Sequence, residues 1–176
     1  MLGEPRKRLA RQMMLAQVPR WCCVRTIQKQ SVSEHVHRVV AWVDYLLDLH
    51  EKHDDAEFRN HVMVEALRHD DEESWTGDRP SNSKQRNYAH LIAEKGQPYV
   101  IVKVADILEA LCFIWEDLDL GNIRLGGVEQ DLMDKLKQVA PSFSFKRLVE
   151  GDEAVATLVA MARAVTTSPL PVFENG

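Results

Sequence analysis

The sequence predicts an all-α protein, a single-domain helical bundle of about six to seven helices. Apolar residues recur with helical spacing through nearly the whole chain, and no segment alternates as a half-buried strand would. The chain has 176 residues, of which 45% are hydrophobic, and this suffices for one core of ordinary domain size. No repeat or low-complexity stretch divides it. We therefore expect one domain over residues 1–167 and an irregular tail over 168–176.

Proline, serine and glycine mark where the helices begin and end. Pro5 suits the first turn of an opening helix, where its missing N–H is not needed. Ser31 or Ser33 caps the second helix, and Gly121 closes the fifth. The expected elements are helices over 4–18, from 31 or 33 to about 47, 54–69, 83–94, 99–120, 128–139 and 152–165, with an extended connector over 19–32.

The charge and the cysteine content argue against several classes of protein. A formal net charge of −5 predicts no broad basic face, so we expect no nucleic-acid polymer as a partner. The cysteines Cys22, Cys23 and Cys112 form neither a disulfide framework nor a zinc-finger spacing. No apolar run approaches the roughly 20 residues of a membrane helix, and the charged start lacks the apolar core of a signal peptide. These features predict a soluble, cytoplasmic protein without a membrane partner.

Four residues on the predicted helices have the chemistry of metal ligands. His35 lies in the first turn of one helix. His69 and Asp70 close another, and Asp106 lies among apolar neighbours inside a third. A buried carboxylate is unfavourable unless it is paired or bound to a metal, and imidazole with carboxylate suits zinc, cobalt or manganese. Each residue alone also has an ordinary explanation: Asp106 as an acceptor for a helix end or an arginine, and His35 as a satisfied or exposed histidine.

Five short stretches give these residues a more specific context. They are Arg20-Trp21, Val32-Ser33-Glu34-His35, His69-Asp70 with Glu73, Thr76-Gly77-Asp78-Arg79-Pro80 through Lys84, and Val102-Lys103 with Ala105-Asp106. In this order they resemble the HD-domain phosphohydrolase superfamily. The resemblance is closest to its 5′-deoxynucleotidase (YfbR-like) branch and to the shorter phage dATP triphosphohydrolases of DatZ type. It covers residues 20 to about 106, and the C-terminal part of the chain carries no motif of the family.

The resemblance implies a role for each matched residue. The metal ligands are His35, His69, Asp70 and Asp106. The catalytic residues are Glu73 and Asp70. The phosphate contacts are Arg20 and Lys84. The residues beside the nucleoside are Trp21 and Pro80, with Asp78 on the sugar 3′-hydroxyl. Two of these residues keep a structural alternative at this point, since Trp21 also suits a plain core position and Asp78 suits a turn.

Such residues permit a metal-assisted attack of water on a phosphoester. A bound divalent cation lowers the pKa of its water and neutralises phosphate charge. If the helix that contains His69-Asp70 continues, Glu73 lies one turn further along it. Its carboxylate could then position the water or carry a proton.

Three functions are consistent with the motifs. The first is a dATP triphosphohydrolase that releases deoxyadenosine and triphosphate, and the short chain favours it slightly. The second is a 5′-deoxynucleotidase that releases phosphate from deoxynucleoside monophosphates, and the third is a non-catalytic nucleotide-binding HD module. Cations beyond the α-phosphate would favour the first function, and the candidates are Lys84, Arg79 and Arg86. An adenine preference would come from a pocket near Trp21, Cys23 and Pro80.

The resemblance also implies the cofactor and the partners. The cofactor is a divalent metal, zinc, cobalt or manganese, with magnesium accompanying the triphosphate. The expected partners are a deoxynucleotide substrate and further copies of the chain in a homo-oligomer. If a phage encodes the protein, its location is the host cytoplasm.

Overall fold

The computed structural model describes residues 3–78, 87–146 and 151–167, and over these ranges it is helical without a strand. This confirms the predicted all-α class. Its helices are α1 (Glu4–Met14), α2 (Val32–Leu49), α3 (Ala56–Arg68), α4 (Glu73–Thr76), α5 (Tyr88–Asp119), α6 (Gly126–Val139) and α7 (Gly151–Thr167). No helix in the described ranges is long and apolar enough to cross a membrane. The tail 168–176 lies outside these ranges, so the boundary at residue 167 stays a prediction.

Helix α5 forms the centre of the bundle, because α2, α3, α6 and α7 all pack against it. Between Val100 and Trp115 nearly every side chain of α5 is buried. A helix that is hydrophobic on all sides has to be surrounded by other elements. The same helix carries two charged residues in the interior, Glu109 and Asp117, which are 1% and 0% exposed. Both carboxylates hold the connector before α2 in place.

The chain enters the buried part of α5 through a kink. The sequence predicts two helices here, 83–94 and 99–120, separated at Gly96 and Pro98. The structure joins them into one helix from Tyr88 onward, with Gly96 non-helical at φ 65°. Glycine adopts this left-handed conformation without the steric penalty that a side chain brings. The break is therefore where the sequence predicts it, while residues 83–86 lie outside the described ranges.

A capping box fixes the start of α2 and with it the position of His35. The Ser31 hydroxyl accepts a hydrogen bond from the Glu34 backbone N–H at 3.2 Å. The Glu34 carboxylate accepts in return from the Ser31 N–H at 2.6 Å. This reciprocal arrangement satisfies two N–H groups that the helix leaves without partners. It confirms Ser31 as the cap and places His35 on the buried side of α2, beside Val36.

The connector before α2 is a closed loop whose ends meet. Its ends are joined by backbone hydrogen bonds from Arg20 N–H to the Gln30 carbonyl at 2.8 Å and from Val32 N–H to the Val18 carbonyl at 2.9 Å. The expectation of an extended connector is wrong at Trp21, which has φ 63°. A non-glycine residue in this conformation is strained, and such strain persists only where the surroundings enforce it.

Helix α3 ends close to the predicted position, at Arg68 rather than at His69. Glu73 begins the separate one-turn helix α4. The condition under which Glu73 would lie one turn further along the helix of His69 and Asp70 is therefore not met. The residues that follow His69 are acidic, and negative charge is unfavourable at the negative end of a helix dipole. The chain turns at this point, and the turn brings Glu73 back toward the site.

Replacing Asp117 with asparagine should destabilise the protein by loosening the connector. The Asp117 carboxylate accepts from the backbone N–H groups of Ile27 and Gln28 at 2.9 and 2.8 Å, and from the Asn122 amide at 2.5 Å. We expect Asp117→Asn to lower the free energy of unfolding at pH 7 by about 1–3 kcal/mol, as measured by urea denaturation. The exposed carboxylate of Asp134 provides the control, since Asp134→Asn should change stability by less than about 0.5 kcal/mol.

The effect of Asp117→Asn should depend on pH in a defined direction. Burial raises the pKa of Asp117, but hydrogen bonds from Gln28, Asn122 and Ile27 outweigh burial and lower it. A carboxylate with a lowered pKa stabilises the fold above its unfolded pKa of about 3.9, and this contribution is lost as pH falls through the folded value. The stability gap between the wild type and Asp117→Asn should therefore narrow below about pH 4. A gap that stays constant down to pH 2 would contradict this account.

Candidate metal centre and substrate cavity

Three ligand atoms meet where the start of α2 faces the end of α3. Nε2 of His35 lies 3.3 Å from Nε2 of His69 and 3.4 Å from Oδ2 of Asp70. Nε2 of His69 lies 3.2 Å from the same Asp70 oxygen. In the described part of the chain, these residues form a group whose ligand atoms all lie within 4.8 Å of one another. We call them the ligand cluster.

Asp106 adds a carboxylate to this cluster from α5. Its Oδ1 lies 3.3 Å from Nε2 of His35, and Lys103 binds its other oxygen. Burial raises the pKa of Asp106, but Lys103, His35 and His69 outweigh burial and hold the pKa well below its usual range. Asp106 is therefore a carboxylate in the fold. The structure brings together all four residues that the sequence predicted as ligands.

The spacing of these atoms fits a divalent metal ion. Ligands bonded to zinc at about 2.0–2.1 Å in a tetrahedral array lie about 3.3–3.4 Å from one another. The three separations among His35, His69 and Asp70, and that between His35 and Asp106, are 3.2–3.4 Å. Burial and Arg20 lower the pKa of His35, but the surrounding carboxylates, Glu109 foremost, outweigh both and raise it to about 10. The site therefore attracts positive charge strongly, and its nitrogen and oxygen donors suit zinc.

Hydrogen bonds on the far sides of both imidazole rings direct their Nε2 atoms into the cluster. The Nδ1–H of His69 donates to the Ala66 carbonyl at 2.7 Å. Nδ1 of His35 lies 2.5 Å from Oε2 of Glu109, a carboxylate oxygen that can only accept. A proton on Nδ1 leaves the lone pair of Nε2 for a metal. Partners of this kind orient metal-binding histidines in proteins.

The sequence analysis missed Glu109, although a signal for it was present. This carboxylate is buried and also accepts from Arg20 at 2.7 Å and from the Gln30 amide at 2.6 Å. It lies one helical turn after Asp106 in the same apolar stretch, so the reasoning that singled out Asp106 applies to it equally. Arg20 also contacts Nδ1 of His35 and lies 3.5 Å from Asp106. Arg20, expected at a phosphate, is thus already engaged by the carboxylates of the site.

Glu73 lies at the edge of the cluster with a carboxyl group suited to proton transfer. Its Oε2 is buried and has no hydrogen-bond partner among the described residues. Burial, Asp70 and Asp78 raise the pKa of Glu73 to about 7, against the lowering effect of Arg20 and His35. A group with a pKa near 7 can both take up and release a proton at neutral pH.

A cavity of about 370 Å³ opens beside the ligand cluster, between the connector and α6. This volume lies within the range of small-molecule sites. The cluster side contributes Asp70, Glu73 and Asp106, and the connector contributes Arg20 to Val24. The wall on α6 includes an ion pair in which the buried Lys135 lies 2.7 Å from the partly exposed Asp131. The sequence analysis assigned no site residue to this helix, because α6 carries no recognisable motif.

Trp21 and Asp78 line this cavity, and the connector fixes both. The indole ring of Trp21 stacks on Phe113 with centroids 5.5 Å apart, and its N–H donates to Gln30 at 3.2 Å. Asp78 accepts from the backbone N–H of Cys22 at 3.3 Å. Trp21 thus packs on the core and also faces the cavity, so its two alternatives do not exclude one another. Cys23 is exposed at the same cavity.

A second cavity, of about 740 Å³, opens on another side of the ligand cluster. It shares Asp70, Lys103 and Asp106 with the first cavity. Its lining includes the cations Arg68, Lys95 and Lys103, and none of these was predicted as a site residue. Carboxylates also line it, among them Glu65 and Glu72. The ligand cluster therefore lies between two cavities of different character.

Four residues named from the sequence fall outside the described ranges. They are Arg79, Pro80, Lys84 and Arg86. The roles that the resemblance implies for Pro80 and Lys84 remain predictions. The other predicted residues, apart from His35 and His69, all line the first cavity, and these two histidines contribute to the ligand cluster beside it.

An all-α bundle in which a histidine, a His-Asp pair and a later aspartate converge has the architecture of the HD-domain class. Comparisons with known proteins agree. The model of the 5′-deoxynucleotidase YfbR-like family matches residues 9–90. A solved structure described as "Cyanophage S-2L HD phosphohydrolase (DatZ) bound to dA and one catalytic Zn2+ ion" superposes with a TM-score of 0.62. The alignment has 17% identity and covers 94% of this chain and 97% of that one. No curated protein matches the chain in sequence.

These findings confirm the resemblance to HD phosphohydrolases. The family match includes the connector, His35, the His69-Asp70 pair, Glu73 and Asp78. Asp106 and Glu109 lie beyond it, and the fold brings them to the cluster. At 17% identity the structural likeness establishes the fold alone.

Zinc should stabilise the protein, and the effect should depend on the ligand cluster. A ligand at 100 times its Kd stabilises a folded protein by about 2.7 kcal/mol, so the Tm of metal-free protein should rise when zinc is added. We expect Asp70→Ala to abolish this rise in thermal denaturation. The control is Asp71→Asn, since the neighbouring Asp71 carboxylate binds Gln12 rather than the cluster. Equal zinc responses in the two variants would contradict the assignment.

Proposed function

We propose that the protein is a metal-dependent phosphohydrolase of deoxynucleotides, and specifically a dATP triphosphohydrolase that releases deoxyadenosine and triphosphate. The observation that supports this most is the position of the ligand cluster between two cavities. A substrate with its α-phosphate at the cluster can place its nucleoside in the smaller cavity. Its remaining phosphates can then enter the larger cavity, whose lining includes the cations Arg68, Lys95 and Lys103 beside the carboxylates Glu65 and Glu72.

In this proposal His35, His69, Asp70 and Asp106 hold the cation, which is zinc, cobalt or manganese. Bound there, a divalent cation acidifies its water and offsets the charge of the phosphate. Magnesium would accompany the triphosphate, since it binds phosphates readily while keeping most of its own waters. The donor set of two imidazoles and two carboxylates, spaced at 3.2–3.4 Å, supports this assignment.

Glu73 is the proposed acid-base group, and Asp70 assists it as a ligand. The unpartnered Oε2 of Glu73 can accept a proton from water that attacks the phosphorus. The same carboxyl can then deliver that proton to the leaving oxygen. Its pKa of about 7 supports both directions of transfer near neutral pH.

The remaining contacts follow from the walls of the smaller cavity. Trp21 offers an aromatic ring to the nucleoside, and Asp78 offers a carboxylate to the sugar 3′-hydroxyl. Arg20 binds the phosphate while its guanidinium is held by the carboxylates of Asp106 and Glu109. The proposed adenine pocket lies near Trp21, Cys23 and Pro80. Lys84 keeps the phosphate contact that the resemblance implies.

The larger cavity favours a triphosphate over a monophosphate as substrate. A phosphate chain beyond the α-phosphate needs space and cations, because lysine and arginine are its usual partners in proteins. Arg68, Lys95 and Lys103 supply both requirements at one edge of the ligand cluster. A 5′-deoxynucleotidase has no use for this arrangement.

A second candidate, the 5′-deoxynucleotidase, has its own supporting observation. The family model that matches residues 9–90 carries that description. The matched segment contains the ligand cluster but neither Lys95 nor Lys103, which lie at the larger cavity. The two candidates therefore differ in what the larger cavity does. The non-catalytic nucleotide-binding module is the third candidate, and experiment has to distinguish it from the two enzymes.

Assembly and location complete the proposal. We expect a homo-oligomer, as the resemblance implies, with a deoxynucleotide as the small-molecule partner. A cytoplasmic location stays a prediction from composition.

Product analysis with a panel of nucleotides should identify the reaction. Metal-free protein would be supplied with zinc, cobalt or manganese and offered dATP, dGTP, dAMP and ATP. We expect deoxyadenosine and intact triphosphate from dATP, little turnover of dGTP or ATP, and none of dAMP, by chromatography. Phosphate from dAMP with dATP untouched would establish the 5′-deoxynucleotidase instead. Inactivity on every substrate with every metal, together with nucleotide binding, would establish the binding module.

A variant in the larger cavity tests whether this cavity holds the phosphates of dATP. Lys95→Ala should lower kcat/KM for dATP, because Lys95 lines the cavity proposed to hold the phosphates beyond the α-phosphate. Binding of deoxyadenosine should be unchanged, because the nucleoside lies in the other cavity. Equal dATP turnover by Lys95→Ala and the wild type would contradict the role of the larger cavity.

Glu73→Gln should lower kcat by about 100-fold or more while zinc binding persists. The amide keeps the shape of the side chain but cannot take up a proton, and general acid-base groups contribute about 10²–10⁴-fold. Asp71→Asn, two positions earlier, should retain the wild-type rate, because Asp71 binds Gln12 on α1. A Glu73→Gln enzyme with kcat near that of the wild type would exclude Glu73 as the acid-base group.

A further inference from the structure

Glu109 lies on the opposite side of the His35 ring from the ligand cluster. Its side chain is 1% exposed, and both of its oxygens already have partners. Oε2 accepts from His35 and Arg20, at 2.5 and 2.7 Å. Oε1 accepts from the Gln30 amide at 2.6 Å. Because it is buried, occupied and behind the ring, Glu109 is placed to act on His35 rather than on a substrate.

Two groups with opposite requirements contact Nδ1 of His35. The Glu109 carboxylate can only accept a hydrogen bond, and the Arg20 guanidinium can only donate one. An imidazole that gives the Nε2 lone pair to a metal must carry its proton on Nδ1. In that state the Nδ1–H of His35 donates to Glu109. It is repelled by Arg20, because the N–H groups of the imidazole and of the guanidinium are both donors.

We propose that Glu109 is the positioning residue of the metal centre. It accepts the Nδ1–H of His35 and thereby keeps Nε2 available to a divalent cation in spite of the adjacent Arg20. Glu109 also binds Arg20 directly through the same Oε2, so its negative charge offsets the positive charge that Arg20 places beside the ring nitrogen. The inference rests on the metal site of the proposed function, and it adds a residue that controls how firmly that site holds its ion.

Removing the Glu109 carboxylate should weaken metal binding by changing the hydrogen bonding of His35. In Glu109→Ala the Nδ1–H of His35 loses its acceptor and faces Arg20 alone. We expect zinc affinity to fall about 10–100-fold, the usual effect of losing such a partner. Glu109→Gln should lose less, because its amide oxygen can still accept from Nδ1–H. Adding Arg20→Ala to Glu109→Ala should recover part of the affinity, because the opposing donor is then gone.

The measurement is a competition titration of zinc between a chromophoric chelator and the metal-free full-length protein, for wild type and each variant. Asp117→Asn is the matched control. Asp117 is a buried carboxylate on the same helix, but it binds the connector backbone and no ligand. We expect this variant to lose stability and keep wild-type zinc affinity. A second readout is the NMR signal of the His35 Nδ1–H in zinc-loaded protein, which should be protected from exchange in the wild type and lost in Glu109→Ala.

Several results would overturn the proposal. One is zinc affinity of folded Glu109→Ala equal to that of the wild type. Another is a lower zinc affinity when Arg20→Ala is added to Glu109→Ala. A purely structural role for the Arg20–Glu109 ion pair predicts no recovery of zinc affinity in this double variant. If the wild-type protein binds no zinc, the proposed metal site is itself contradicted. This experiment measures zinc binding and not hydrolysis. If the zinc affinities of the variants fall in the expected order but the protein cleaves no nucleotide, only the proposed function is contradicted.

Discussion

The burial of Glu109 is the constraint on which the site depends. A carboxylate removed from water requires charged or hydrogen-bonded partners, or it destabilises the fold by several kcal/mol. Here the partners come from two parts of the chain: Arg20 and Gln30 from the connector, and His35 from α2. Neither of these segments can move away without leaving the charge unsatisfied. The same contacts therefore close the bundle and set the geometry of the ligand cluster.

Helix α5 makes this constraint possible because it is surrounded on all sides. Asp106 and Glu109 are three residues apart, so they lie on the same face of the helix and meet the two sides of one histidine ring. One carboxylate faces the ligand cluster and the other lies behind it. A site built on a packed central helix keeps its ligands in a fixed geometry, as metal chemistry requires. The walls away from α5 differ between the two cavities, since the connector and α6 line the smaller one and α3 lines the larger one.

Much of this arrangement was predictable because the relevant physics is local. Helical periodicity gave the fold class, the serine and glutamate of the capping box located the start of α2, and Gly96 marked the kink. The order of His35, His69-Asp70 and Asp106 predicted a set of metal ligands, and the fold brings these residues close together. The end of α3 was predicted to within one residue, while the position of Glu73 was left open and depends on the turn that follows the acidic run.

The sequence by itself determined the all-α class, the ends of several helices and the set of candidate ligands, because these follow from spacing and residue chemistry within a few positions. Only the tertiary structure decided that Glu109 lies behind His35, that Lys135 and Asp131 form a wall of the smaller cavity, and that Arg68 and Lys95 edge a second one. Each of these depends on which helix faces which across the bundle. Side-chain packing over long sequence separations sets that relation, and no local pattern encodes it.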